Sequence, residues 1–78
     1  MKLFDGLSRT EIEYLIDEWI VGINNAERNR RIMKRKVIDG LTFEKIAEEF
    51  ELSDVQVKNI VYQCRNLLKG KINVKDKL

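Results

Sequence analysis

The feature that most constrains the fold is a pair of apolar stripes separated by only three residues, Glu51 to Ser53. Before this short linker, the apolar residues follow the spacing of a short helix: Phe43, Ile46, Ala47 and Phe50. After it, a longer stripe again follows helical spacing: Val57, Ile60, Val61, Cys64, Leu67 and Leu68. Because so short a linker does not allow antiparallel packing, we expect two helices that cross steeply.

The residues around the linker suit a tight connection between two helices. Ser53 can cap the second helix, and Gln56 completes a capping box three residues later. Leu52 is expected to fill the space between the helices, and the small side chain of Ala47 to allow their close approach. Together these signals predict a helix-turn-helix.

The composition fits one small all-α domain. The chain has 78 residues and no Pro, and no apolar run reaches the length of a membrane span. The N-terminus lacks a signal-peptide pattern, and a single Cys cannot form an internal disulfide. We therefore expect a cytoplasmic protein that does not bind a membrane.

The periodicity predicts about four helices, near 9–22, 26–39, 43–50 and 54–69. They are expected to form a single helix-turn-helix domain over residues 1–70, without the wing of winged-helix proteins. Residues 71–78 are expected to form a basic, frayed tail, with an edge strand as the alternative. Trp19 lies within the stripe of the first helix and is interpreted as a core anchor. Gly40 is expected just past the second helix, and Gly70 at the end of the last.

Polar residues stand where the predicted helices begin. Ser8 with Glu11 forms another capping box. Asn24 or Asn25 can cap the second helix, and Thr42 can cap the third. These caps fix the starts of the helices better than the stripes alone.

Positive charge is concentrated in two segments, although the net charge is only +2. One segment runs from Arg28 to Lys36, and the other lies between Arg65 and Lys77. Acidic residues cluster near the start and again between residues 44 and 54. A segregated basic surface fits a polyanion, and the alternative is a set of solvated helix faces. Because the basic segments flank the predicted helix-turn-helix, we favour binding to a polyanion.

Residues 25–68 resemble region 4 of bacterial sigma factors, the domain that reads the promoter −35 element. The matching features are Glu27-Arg28, Ile32-Met33, the Gly40-Leu41-Thr42 turn, Glu44 before Ile46-Ala47, and Ser53 followed by Val57-Lys58. The LuxR-type response-regulator domain has a similar arrangement. The resemblance implies a small DNA-binding transcription regulator, of a kind found among phages and mobile elements. Glu51 stands where the helix-turn-helix family usually has Gly, so the resemblance implies a left-handed backbone there.

One side of the last helix lies opposite its apolar stripe and would enter the major groove in this motif. It holds Val55, Lys58, Asn59 and Tyr62. Asn59 can pair with adenine, Val55 can contact a thymine methyl, and Lys58 can reach guanine or phosphate. Asp54 can accept from cytosine or serve the helix dipole. The alternative is that these are ordinary solvated side chains.

Hydroxyl and guanidinium groups near the predicted motif are candidate phosphate contacts. They belong to Thr42, Ser53, Arg28, Arg31 and Arg35. Double-stranded DNA is therefore the expected partner. The competing hypothesis is an adaptor that docks on RNA polymerase or a sigma factor without reading DNA, because the acidic side chains of residues 43–50 can meet a basic protein. A homodimer through the first helix or the tail is left open.

The sequence does not indicate an enzyme. There is no His, no Ser or Cys paired with a base, no glycine-rich phosphate loop and no cluster of metal ligands. No cofactor is expected. Cys64 lies on the apolar stripe and is interpreted as a small core residue.

Overall fold

A computed structural model describes the backbone of residues 4–76 and the side chains of residues 4–70. This part of the chain forms four helices and no strand: α1 (Arg9–Trp19), α2 (Ala26–Val37), α3 (Phe43–Phe50) and α4 (Asp54–Asp76). The predicted all-α class is confirmed. Residues 77–78 of the predicted tail lie outside the described residues.

The longest helix, α4, is the centre of the fold, because α1, α2 and α3 all pack against it. The buried side of α4 carries the predicted apolar stripe: Val57, Ile60, Val61, Cys64 and Leu68. The other helices and their flanks add Phe4, Ile16, Ile20, Ile32, Met33, Ile46 and Ala47. A single core therefore joins all four helices.

The first helix begins at its predicted cap and ends earlier than predicted. Ser8 Oγ accepts from the Glu11 amide (3.2 Å), and the Ser8 amide donates to the Glu11 carboxylate (3.1 Å). The helix ends at Trp19 rather than near residue 22. The backbone of Ile20 is already non-helical (φ −93°, ψ 76°), and Gly22 follows with a left-handed backbone (φ 72°).

The interpretation of Trp19 as a core anchor was wrong, since its side chain is 38% exposed. Ile20, four residues after the buried Ile16, takes the inward position at this end of α1 and is fully buried. Phe4, from the segment before α1, is also buried in the core. The inward positions at this end of α1 are thus taken by Ile16 and Ile20, whereas Phe4 lies beside Val37 at the end of α2.

The second helix has the predicted start, but its cap residue makes no side-chain hydrogen bond. Asn25 is the N-cap residue, yet its backbone is left-handed (φ 58°) and its side chain makes no capping hydrogen bond. The helix ends at Val37, two residues before the predicted end. The amide of Leu41 donates back to the Arg35 carbonyl (3.2 Å), and Gly40 supplies the left-handed backbone (φ 70°) that this return requires.

The third helix has the predicted bounds. Thr42 Oγ1 accepts from the Lys45 amide at 3.2 Å, as its predicted role as a cap requires. Glu51 has the expected left-handed backbone, with φ of 56°. The Leu52 amide donates to the Ala47 carbonyl (2.9 Å), and its side chain packs against the core. The chain therefore changes direction within the three residues between α3 and α4.

The start of α4 was predicted correctly, and its end was not. The Ser53 amide donates to Gln56 Oε1 (2.9 Å), and Ser53 Oγ accepts from the Gln56 amide (3.1 Å). The helix continues to Asp76, so the predicted end near Lys69 and Gly70 was wrong. A glycine costs a helix about 1 kcal/mol relative to Ala but does not forbid it. Residues 71–76 are helical in their backbone, which also corrects the edge-strand alternative.

Candidate nucleic-acid interface

The four residues predicted to face bases lie on the outward side of α4. Val55 is 61% exposed and Tyr62 46% exposed, and Lys58 and Asn59 are exposed as well. We call these four residues the outer face of α4. The opposite side of the same turns is anchored in the core, so the outer face has a fixed direction relative to the rest of the domain.

The outer face has one side chain that is held by neighbours and two that are not. The Tyr62 ring meets Phe43 edge-on, with centroids 6.4 Å apart and planes at 81°. On the other hand, neither Lys58 nor Asn59 has a hydrogen bond or ion pair from its side chain within residues 4–70. Lys58 and Asn59 can therefore turn toward a ligand without breaking an internal contact.

Phe43 connects the outer face to α2. The ammonium of Lys36 lies 4.4 Å from the centre of the Phe43 ring, a distance at which a cation is attracted to an aromatic face. The same ammonium donates to the Leu41 carbonyl at 3.2 Å. These contacts hold the Tyr62 ring in position through Phe43. The spacing of residues in the sequence did not predict them.

A recess lies between the N-terminal ends of α3 and α4, beside the outer face. It is lined by Thr42, Phe43, Glu44, Asp54, Val55 and Lys58. Asp54 Oδ1 accepts from the Val55 amide at 3.0 Å, and Glu44 lies in the first turn of α3. Both carboxylates are favourably placed near helix N-termini. Two acidic residues and one lysine thus line the recess.

Two of the candidate phosphate contacts are hydroxyls that already act as helix caps. The oxygens of Thr42 and Ser53 accept from backbone amides of α3 and α4. A hydroxyl that accepts in this way still has its own proton to donate. Both residues are exposed, so each can cap its helix and also donate to an anion.

The three candidate arginines of α2 have different surroundings. Arg28 donates to Asn29 Oδ1 at 3.2 and 3.3 Å, and the guanidinium of Arg31 lies 5.3 Å from the centre of the Phe50 ring. Arg35 instead donates to Asp39 at 2.9 Å and to Glu49 at 3.1 Å. These two carboxylates raise the pKa of Arg35 above its usual value, Asp39 contributing first. Arg35 is therefore an ionic link between α2 and α3.

Other basic residues of α2 also hold neighbouring elements. Arg30 donates to the Ile20 carbonyl at 2.7 Å, just beyond the end of α1. Lys34 forms an ion pair with Asp17 of α1 at 2.8 Å. Much of the positive charge of α2 thus stabilises contacts within the domain, a role that the sequence analysis missed.

Negative charge is prominent on α3 and the following turn. Glu44, Glu48 and Glu51 are exposed, and among the described side chains none of the three forms an ion pair. Glu49 is the exception on this helix, because Arg35 neutralises it. The surface next to the outer face is therefore acidic rather than uniformly basic.

Cys64 is 1% exposed and faces the core from α4. Burial raises the pKa of its thiol to about 11, so the thiol stays protonated at neutral pH. This agrees with the interpretation of Cys64 as a small core residue. Within the described side chains, no group of His, Cys, Asp and Glu residues is arranged to hold a metal ion.

No helix within residues 4–76 combines the length and apolar character that crossing a membrane requires. Comparisons with protein-family models, with curated proteins and with solved structures gave no match to this chain.

Proposed function

We propose that this protein is a sequence-specific, DNA-binding transcription regulator, in which α3 and α4 form a helix-turn-helix resembling that of sigma region 4. The observation that carries the proposal is the outer face of α4. Its exposed polar residues lie at the start of a helix whose other side is fully anchored in the core. A rigidly held helix with a free N-terminal face is what reading a major groove requires.

In the proposed complex, the N-terminal half of α4 enters the major groove of double-stranded DNA. The amide of Asn59 pairs with an adenine edge, and Val55 contacts a thymine methyl. Lys58 reaches guanine or a phosphate. The hydroxyls of Thr42 and Ser53 donate to phosphates from the ends of α3 and α4.

The arginines of α2 contribute to backbone binding to different degrees. Arg28 and Arg31 have no carboxylate partner among the described residues, so they can approach a phosphate directly. Arg35 would first have to exchange Asp39 and Glu49 for the phosphate. We therefore place Arg28 and Arg31 ahead of Arg35 among the phosphate contacts.

The acidic surface favours a second candidate function. Glu44, Glu48 and Glu51 are exposed without an ion-pair partner among the described side chains, and this surface suits a basic protein rather than DNA. In this alternative the domain is an adaptor that docks on RNA polymerase or on a sigma factor. A homodimer is compatible with either function.

Titration against duplex DNA separates the two functions. We expect random duplex to bind with an affinity that falls steeply with salt, log affinity losing about 0.9 per unit of log salt for each phosphate contact. Selection from a random pool should then enrich one sequence. Lys58→Glu should abolish both kinds of binding, whereas Arg9→Glu, the same charge change on exposed α1, should have little effect.

The opposite results would favour the adaptor. These results are that DNA binding does not depend on salt, that no sequence is enriched, and that Lys58→Glu and Arg9→Glu have the same affinity for DNA. Under that function, purified RNA polymerase or sigma factor should still bind the wild-type protein, and substitution of Glu48 should weaken that binding.

A further inference from the structure

The recess between α3 and α4 has both signs of charge on its walls, Glu44 and Asp54 on one hand and Lys58 on the other. We propose that this recess reads a G·C base pair in the major groove, and that the two carboxylates select the cytosine. The inference rests on the DNA-binding function proposed above. It adds which base pair the protein recognises and which residues determine that choice.

The carboxylates limit what can enter the recess. An ionised carboxylate only accepts hydrogen bonds, so it repels the acceptor atoms of bases. In the major groove, cytosine is the one base whose edge presents an amino donor and no acceptor. Guanine presents two acceptors, thymine an acceptor and a methyl group, and adenine a donor beside an acceptor. The carboxylates of Glu44 and Asp54 are therefore best matched by the cytosine amino group.

The ammonium of Lys58 matches the other half of the same pair. The guanine of a G·C pair presents O6 and N7 as acceptors, next to the amino group of cytosine. In the complex, the Lys58 ammonium therefore faces guanine O6 and N7, and the neighbouring carboxylates face the cytosine amino group. In an A·T pair the single donor lies between two acceptors, so a carboxylate that approaches it is repelled from both sides.

Neither carboxylate is neutralised inside the domain. Within the described residues, no Lys or Arg forms an ion pair with Glu44 or Asp54. Asp54 uses one oxygen, Oδ1, to accept from the Val55 amide. Glu48 supplies a useful contrast, because it is an exposed glutamate on the same helix that does not line the recess.

The test compares recess variants with a charge-matched control. Glu44→Gln, Asp54→Asn and the double variant each remove negative charge and keep the side-chain shape, and Glu48→Gln removes the same charge outside the recess. Each protein is first checked for unchanged helix content. Each then selects sequences from a random duplex pool, and binding is titrated on the wild-type site and on that site with each G·C pair replaced by A·T.

For the wild-type protein, one G·C pair should be required, with its replacement by A·T lowering affinity by about 10-fold or more. The double variant should reduce that discrimination to about 2-fold, since an amide accepts and donates and no longer selects the cytosine amino group. Glu48→Gln should raise affinity by the same factor on every sequence and leave the discrimination intact.

Two outcomes would contradict the inference in different ways. Selected sites whose base preferences are the same for the wild-type protein and the double variant would overturn the G·C assignment and leave the DNA-binding function standing. A wild-type protein that enriches no sequence and shows no salt-dependent binding would overturn both.

Discussion

The basic segment of α2 and the outer face of α4 differ in how their polar groups are used. In α2, Arg30 binds a backbone carbonyl of the α1–α2 connection, Lys34 binds Asp17 of α1, and Arg35 binds Asp39 and Glu49. On the outer face, Lys58 and Asn59 have no such partner within the described side chains. The segment with the most charge in the sequence is thus the one more engaged within the fold.

Charge density along the sequence is therefore a poor measure of where this domain can bind a ligand. Glu49 lies 14 residues from Arg35 in the chain and still neutralises it, because α2 and α3 pack together. The outer face carries only one cation, but that cation is available to a ligand. What matters for binding is the charge that is left after internal pairing.

The largest expected effect is on the packing that holds the outer face in place. Ala47 is 6% exposed where α3 packs against α4. Ala47→Leu should therefore lower the free energy of unfolding by about 1–3 kcal/mol through overpacking. Chemical denaturation measures the loss, and Glu48→Leu, which adds the same side chain at an exposed neighbour, is the control. Equal stabilities for the two variants would mean that α3 does not approach α4 closely at Ala47.

A similar magnitude is expected for affinity at the outer face, without a cost in stability. Asn59→Ala should weaken binding to the selected DNA site by about 1–3 kcal/mol and leave random DNA nearly unaffected. Stability should change by less than about 0.5 kcal/mol, because the residue is exposed. Lys58→Ala should weaken binding to the selected site more than to random DNA if Lys58 meets guanine, and both kinds of binding equally if it meets a phosphate.

The pair of titrations, selected site against random duplex at fixed salt, measures both variants. Equal losses on the two DNAs for Asn59→Ala would remove it from base recognition. No loss on either DNA would mean that Asn59 does not contact DNA, and that the outer face behaves like any other exposed helix surface.

A smaller effect is expected in α2, and on stability rather than on DNA. Arg30→Met removes the charged donor to the Ile20 carbonyl but keeps much of the apolar stem. It should lower the free energy of unfolding by about 1 kcal/mol, less than a fully buried charged hydrogen bond is worth. Arg9→Met is the control, since Arg9 is in an exposed pair within one helix. A loss of DNA affinity at full stability would instead assign Arg30 to the DNA surface.

The smallest effect compares two arginines within α2 itself. Arg31→Gln should flatten the dependence of log affinity on log salt by about 0.9 if it removes one phosphate contact. Arg35→Gln should leave this slope unchanged and lower stability only slightly, as expected for an exposed ion pair. Salt titrations of both variants measure the difference, and the reverse pattern would mean that Arg35 leaves its carboxylates for DNA.

The parts of the fold that were predicted from sequence depend on neighbours within a few residues. The Ser53–Gln56 capping box and the cap at Thr42 follow from local rules of helix ends, whereas the left-handed backbone of Glu51 was implied by the family resemblance. The helical stripe also identified the buried side of α4, and with it the direction of the outer face.

The parts that were missed depend on packing between elements. The stripe of α1 could not distinguish Trp19 from Ile20 as the inward residue, because both continue it at helical spacing. Phe4 was part of a lead-in segment without periodicity, yet it is buried. The end of α4 was misplaced because the weak helix propensity of Gly70 is readily overridden.

The candidate site shows the same division. Sequence alone could place Lys58 and Asn59 on one side of a helix. It could not show that Lys36, Phe43 and Tyr62 form a series of contacts, or that Arg35 meets Glu49. These contacts depend on how α2 lies against α3 and α4, which no local pattern specifies.

The buried thiol of Cys64 makes the opening of this domain measurable. Thiol reagents attack the thiolate, and a side chain 1% exposed with a pKa near 11 reacts only after α4 separates from the other helices. Because Cys64 is the single cysteine, its labelling rate reports how often the helix with the outer face is released. A ligand that binds only the closed domain slows this labelling by mass action. The labelling rate with and without duplex DNA therefore measures DNA binding by the wild-type protein.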